Sequence, residues 1–163
     1  MNKIFVSVLY IGFLPIAPGT FGSMFGVILG IIIQAIGGFP LLIASIFSLF
    51  IIGWNSTNKY IKKNTKDLDP PEIVIDEVVG QLLAYLPISV FIWLFDQESF
   101  HSTSLDWFVT FILFRIFDIF KPWPINWADK IDSGLGIMLD DLIAGFYAAI
   151  LIVTLMFFLC CKV

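Results

Sequence analysis

Charge is scarce in this sequence: Asp, Glu, Lys and Arg make up 13% of its 163 residues, against about 25% in a soluble domain. With 59% hydrophobic residues and a mean hydropathy of +0.96, the chain is expected in a membrane. Histidine is nearly absent. His101 stands alone in the loop DQESFHSTSLD, which disfavours a phosphohistidine mechanism or a histidine base. Cysteine is confined to Cys160 and Cys161, adjacent at the end of an apolar run. That placement suits neither a disulfide framework nor spaced metal ligands, and it lacks the phosphate-binding loop of a thiolate phosphatase. A net charge of −4 and the lack of a basic stripe interleaved with aromatics argue against a nucleic-acid partner. No cleavage pattern of small residues follows the apolar start, so that segment is expected to be retained. One domain, residues 1–163, is expected at this length. There is room for a helical bundle but not for an added soluble catalytic domain, so any chemistry sits on the bundle itself.

Apolar stretches run over Phe21 to Ile36, Leu41 to Trp54, Val78 to Phe95, Trp107 to Phe120 and Leu142 to Cys161. Only the last is an uninterrupted span of the ~20 residues that cross ~30 Å of hydrocarbon. The expected architecture is an all-α, multi-pass membrane bundle of about four spanning helices plus a short N-terminal helix. Helices that end early leave a polar pocket near one membrane face. Gly22, Gly26 and Gly30 recur at four-residue spacing, a packing stripe that admits a close neighbour. Pro87 is expected to kink the third long stretch. Orientation follows from lysine. Lys59, Lys62, Lys63 and Lys66 follow the second stretch, Lys121 and Lys130 follow the fourth, and the loop between the third and fourth has neither Lys nor Arg. Positive-inside bias then puts 59–76, 121–141 and the turn at 17–20 on the cytoplasmic side, with the 37–40 connection outside.

The polar residues of that face each have a plain structural reading. Asp76 and Glu77 stand where a loop enters an apolar helix, which the helix dipole favours by ~0.3 to 1 kcal/mol. Arg115, Asp118 and Lys121 recur every three residues, along one side of a helix that Pro122 is expected to end. An Arg115–Asp118 pair would leave Lys121 over. Asp140 and Asp141 follow Gly134 and Gly136 and open the last apolar stretch, where N-capping explains one aspartate but not both. In APGTFGS, Thr20 is a candidate cap for a helix whose free amides favour an anion. Together, so many carboxylates and two cations beside hydrocarbon point to a ligand. Oxygen donors without Cys or His select Mg²⁺ over Zn²⁺, and Arg115 and Lys121 suit phosphate oxygens.

The ordered set APGTFGS, IVIDEVVGQ, FRIFDIFKPWPI and GLGIMLDDLIAG resembles the phosphatidylglycerophosphatase A family, from Pro15 to Gly145. The resemblance implies an all-helical fold and a bacterial inner-membrane enzyme with its site facing the cytoplasm. The implied reaction is Mg²⁺-dependent removal of the terminal phosphate of the anionic lipid phosphatidylglycerophosphate. The family's motif positions fall on Asp76, Glu77, Arg115, Asp118, Lys121, Asp129, Asp140 and Asp141. The expected catalytic set is Asp118, Asp140, Asp141, Arg115 and Lys121. Gly19, Thr20, Ser23, Lys121 and Arg115 are expected to bind substrate, and Asp76, Glu77, Asp118, Asp140 and Asp141 to hold the metal. No DxDxT nucleophile motif is present, so metal-activated water is favoured over an aspartyl phosphate. A divalent-cation transporter or cation-binding protein is the rival reading, although a pathway should place its ionisable groups at mid-membrane depth. A transferase of the CDP-alcohol type would need an Asp-Gly and a nearby Ala-Arg, which DDLIAG lacks. The sequence does not determine the oligomeric state.

Overall fold

The structure, a computed structural model, describes residues 2–64, 70–95 and 103–160. Lys66, His101 and Cys161 lie outside the described residues, and so does the side chain of Cys160. The described elements are all helical: α1 (Asn2–Val6), a 3₁₀ turn (Ile11–Phe13), α2 (Pro18–Asn64), α3 (Ile75–Phe95), α4 (Ser104–Phe120), α5 (Ile125–Asp129) and α6 (Gly134–Cys160).

Drawn straight, the 47 residues of α2 would reach roughly 70 Å. Instead Gly38, at φ 55° and ψ −146°, breaks the helix just before Pro40, in a conformation that glycine adopts without steric cost. Gly22 lies against Val74 and Gly53 against Ile75, both at the start of α3, while Gly38 lies against Trp93 near its end. The helix therefore doubles back at the expected 37–40 connection, and its arms, 18–37 and 39–64, flank α3. Three helices are long and apolar enough to cross a membrane: Pro18–Lys63, Ile75–Phe95 and Gly134–Phe158. The 17 residues of α4 reach only about 25 Å.

Helix α3 runs unbroken through Pro87 and packs against both arms of α2, α4 and α6. The glycine stripe seats the first arm, with Gly26 under Gln81 and Gly30 against Leu82 and Trp107, whose indole stacks on Tyr85 at 3.4 Å between centroids. Small residues bring α3 and α6 together as well. A Cβ on Gly80 would lie 2.6 Å from the carbonyl oxygen of Asp141, and one on Gly145 would run into the carbonyl of Gly80. Ala84, Ala144 and Ala148, all buried, continue that contact. The N-terminal segment folds across the connection into α3, where the Val74 amide donates to the Val6 carbonyl at 2.9 Å.

Two local expectations are corrected. Helix α6 begins at Gly134, so Asp140 and Asp141 lie in its second turn and neither is an N-cap. The Gly136 amide donates to Ser133 Oγ at 3.2 Å and the Gly134 amide to Asn58 Oδ1 at 3.1 Å; these two side chains cap the helix start, so neither aspartate is needed there. Helix α2 begins at Pro18 with its first amides on the Ala17 carbonyl, so Thr20 sits inside the first turn rather than at the cap.

Candidate active site

One end of the bundle gathers the start of α2, the first turn of α3, the last turns of α4 and the second turn of α6. Each contributes for a local reason. Glu77 follows Asp76 on α3, and its carboxylate occupies the space that a side chain on Gly19 would need. Asp141 reaches the same place because Gly80 and Gly145 let α6 lie directly on α3. At least one carboxylate oxygen from each of Asp76, Glu77 and Asp141 falls within 4.8 Å of the others.

The two cations are committed elsewhere. Arg115 pairs through Nη1 with Asp118 and donates from the same nitrogen to Ser23 Oγ at 3.4 Å; the Ser23 hydroxyl in turn donates to the Gly19 carbonyl at 2.9 Å. Lys121, at the left-handed C-cap of α4 just before Pro122, pairs with Asp129 and donates to Asp140 Oδ2 at 2.8 Å. Burial opposes the Lys121 ammonium, but its hydrogen bonds to Asp129 and Asp140 outweigh that and push its pKa above the ordinary lysine value. Among the described residues no salt bridge reaches Asp76, Glu77 or Asp141. Asp118, Glu77 and Asp140 all act electrostatically on Asp141.

The expected residues therefore divide. Asp76, Glu77 and Asp141 converge as potential ligands, while Asp118 and Asp140 are each held by a cation beside them. Three ionised carboxylates this close repel by about 3 kcal/mol per pair at an effective dielectric of ~20. They are also largely buried, with Asp76 at 7% and Asp141 at 3% exposure, and a buried charge is costly unless it is paired or binds a metal. Glu77 Oε2 is buried without a hydrogen-bond partner. This all-oxygen donor set with a free lone pair fits a hard divalent cation. Arg115 Nε is likewise buried and unpartnered.

Some positioning residues escaped the sequence reading. Gly80 and Gly145 had a faint signal, as lone glycines in apolar helices. Gln81 had a clearer one, a polar residue one turn after Glu77; its Nε2 donates to Thr110 Oγ1 at 3.4 Å inside the bundle. Thr20 is half-buried in the first turn of α2, beside Gly19.

Compared with known proteins, residues 4–156 match a family described as Phosphatidylglycerophosphatase A. A Phosphatidylglycerophosphatase A of Haemophilus influenzae is 35% identical over 149 residues, covering 88% of this chain and 81% of that protein. One of the same name from Escherichia coli K12 is 31% identical, covering 85% of this chain and 73% of that protein. A Putative phosphatidylinositol-3-phosphatase of Bacteroides thetaiotaomicron is 33% identical, covering 86% and 84% respectively. No solved structure matches the chain.

Proposed function

The chain belongs to the phosphatidylglycerophosphatase A family and is a phosphatase, and from that premise we propose that it hydrolyses the terminal phosphomonoester of phosphatidylglycerophosphate in a Mg²⁺-dependent reaction, giving phosphatidylglycerol and phosphate. The observation that carries this reading is the carboxylate trio of Asp76, Glu77 and Asp141, which no salt bridge reaches among the described residues, near the ends of membrane-length helices. In this reading both arms of α2, together with α3 and α6, cross the inner membrane, the shorter α4 crosses where the bilayer is locally thinned, and the trio faces the cytoplasm.

Held by the trio, Mg²⁺ would polarise the phosphoryl group and lower the pKa of a bound water. The chain's own residues do the rest. Arg115 presents a guanidinium that Asp118 and Ser23 hold in place; its fork matches phosphate oxygens and offsets charge gathering on the phosphoryl group in the transition state. Lys121 adds a second positive charge while tying the end of α4 to Asp140 on α6. The first turn of α2 offers an anion the Gly19 amide and the Thr20 hydroxyl beside Ser23, since the Thr20 and Phe21 amides are taken by the Ala17 carbonyl.

Phosphate release from phosphatidylglycerophosphate by the purified protein, with and without Mg²⁺, tests the reading. Release that survives chelation would remove the metal from it, and no release would remove the substrate. The relative named for phosphatidylinositol-3-phosphatase supports a second headgroup. Phosphatidylinositol 3-phosphate therefore belongs in the same assay, and the substrate with the higher kcat/KM decides. The cation-transporter reading is disfavoured because the described carboxylates crowd the helix ends, with Asp76 and Glu77 in the first turn of α3 and Asp140 and Asp141 in the second of α6.

A further inference from the structure

The proposed chemistry uses Asp76 and Glu77 of the motif IVIDEVVGQ and gives Gln81 no part. Gln81 is fully buried in α3, one turn after Glu77. Its Nε2 donates to Thr110 Oγ1 at 3.4 Å, and the Thr110 hydroxyl donates to the Trp107 carbonyl at 2.9 Å. With its proton committed there, Thr110 can only accept from Gln81, so the amide nitrogen faces α4 and the amide oxygen is turned elsewhere. That oxygen has no hydrogen-bond partner in the protein. A buried amide oxygen without a donor is costly, and more so inside a membrane bundle.

Two more unpartnered buried atoms, Glu77 Oε2 and Arg115 Nε, belong to side chains at the same junction of α2, α3 and α4. On α2, Gly26 stands where a Cβ would lie 3.0 Å from that of Gln81. Ser23, three residues earlier, accepts from Arg115 Nη1 at 3.4 Å. Gly19, one turn earlier still, stands where a Cβ would meet Glu77 Oε1 and lie 3.5 Å from Arg115 Nη1. Residues three or four apart on a helix are neighbours, about 5 to 6 Å apart. One face of α2 therefore meets Glu77 and Arg115 first and Gln81 next, and on α3 itself Glu77 and Gln81 are such neighbours. Two hydrogen bonds through one water span a gap of that size.

The unpartnered atoms are two acceptors and one donor, and a water molecule offers the complementary two donors and an acceptor. We propose that an internal water occupies this junction, accepting from Arg115 Nε and donating to Gln81 Oε1 and Glu77 Oε2, and that Gln81 is thereby a positioning residue for the Arg115 guanidinium. About three hydrogen bonds are usual for a buried water. Glu77 Oε2 keeps a second lone pair for a cation. Asp118 and Ser23 hold Arg115 Nη1, the water holds Nε, and Nη2 is left with two N–H groups for phosphate oxygens. Gln81 can serve as a fixed point because Thr110, on the helix that carries Arg115, anchors its other end. The water stands on these hydrogen-bonding groups alone, while the consequence for phosphate rests on the phosphatase reading.

A crystal structure of the full chain that resolves ordered solvent tests the water directly. A density peak within about 3.2 Å of Gln81 Oε1, Arg115 Nε and Glu77 Oε2 is the expected result. A junction without solvent, or solvent bonded to only one of Gln81 and Arg115, would overturn the proposal. For the consequence, Gln81→Met puts an apolar chain of similar length in place of the amide. Phosphate release should fall about tenfold or more, while the melting temperature stays near that of the wild type, because the unpaired oxygen leaves with the amide. Arg115→Lys keeps the charge but has no Nε–H, so adding Gln81→Met to it should lower the rate less than about twofold further. A wild-type rate in Gln81→Met, or two losses that simply multiply, would reject the positioning role. If the wild type released no phosphate at all, the reaction assignment would fail while the density still decided the water site.

Discussion

Asp118 and Asp141 stand in one electrostatic neighbourhood, but only Asp118 forms a salt bridge, and replacing each by asparagine separates their proposed roles. Asp141→Asn keeps the shape and removes one member of the trio. Hydrolysis should fall by ~10² or more, and the Mg²⁺ concentration for half-maximal rate should rise. Asp118→Asn instead releases Arg115 from its ion pair, so the rate should fall comparably with little change in the Mg²⁺ requirement. Phosphate release across a Mg²⁺ titration, with thermal melts to establish folding, distinguishes them. Wild-type turnover in both folded variants would overturn the site assignment. Gly19 offers a subtler test. A methyl group there would occupy the place of the Glu77 carboxylate, so Gly19→Ala should raise the Mg²⁺ requirement. Because the contact is with the mobile end of a side chain, the cost in stability should stay within about 1 kcal/mol. Unchanged Mg²⁺ dependence would mean that Glu77 is not a ligand.

Among the elements, the contact of α3 with α6 is what assembles the trio, and glycine makes it. Gly145→Leu would drive a side chain into the Gly80 carbonyl, costing about 1 to 3 kcal/mol through overpacking and separating Asp141 from Asp76 and Glu77. Activity and melting temperature should fall together. The same change at Phe146, an exposed neighbour, should leave both near wild type; loss of activity there instead would show that the α3–α6 approach is not what matters. Much of the site could be read from sequence because a charge stands out in an apolar chain. Asp76, Glu77, Arg115, Asp118, Asp140 and Asp141 do converge on one end. Their division into salt-bridged groups and the converging trio was hidden, since it depends on contacts between distant segments. Ser133 and Asn58 hold the start of α6 and free the aspartates from capping, and neither pairing has a local pattern. The doubling back of α2 at Gly38 was visible as two apolar stretches around 37–40, because the glycines and Pro40 interrupt the run.

At the scale of the whole molecule the arms of α2 point the argument toward topology. The first arm, of about 20 residues, reaches ~30 Å, the thickness of the hydrocarbon core, and it runs beside α3 from Gly22 at Val74 to Gly38 at Trp93. The trio and Lys121 then share one membrane face, and Ser104, at the start of α4, lies at the far end from Lys121. Lys59, Lys62 and Lys63 close the second arm near the trio's end, and Lys130 lies just beyond α5, so the lysine-rich end is the carboxylate end. On positive-inside bias we propose that this end faces the cytoplasm. In a background lacking Cys160 and Cys161, a cysteine at Ser133, in the turn before α6, should therefore react with an impermeant maleimide only from the cytoplasmic side. A cysteine at the exposed Ser104 should react only from the opposite side. Both positions labelling from one side would break the single-crossing geometry of α4, and with it the placement of Arg115 and Lys121 at the same face as Asp141. Opposite sides in the reverse sense would keep the bundle and move phosphate release outside the cell, which hydrolysis by intact cells of an externally added short-chain substrate would then detect.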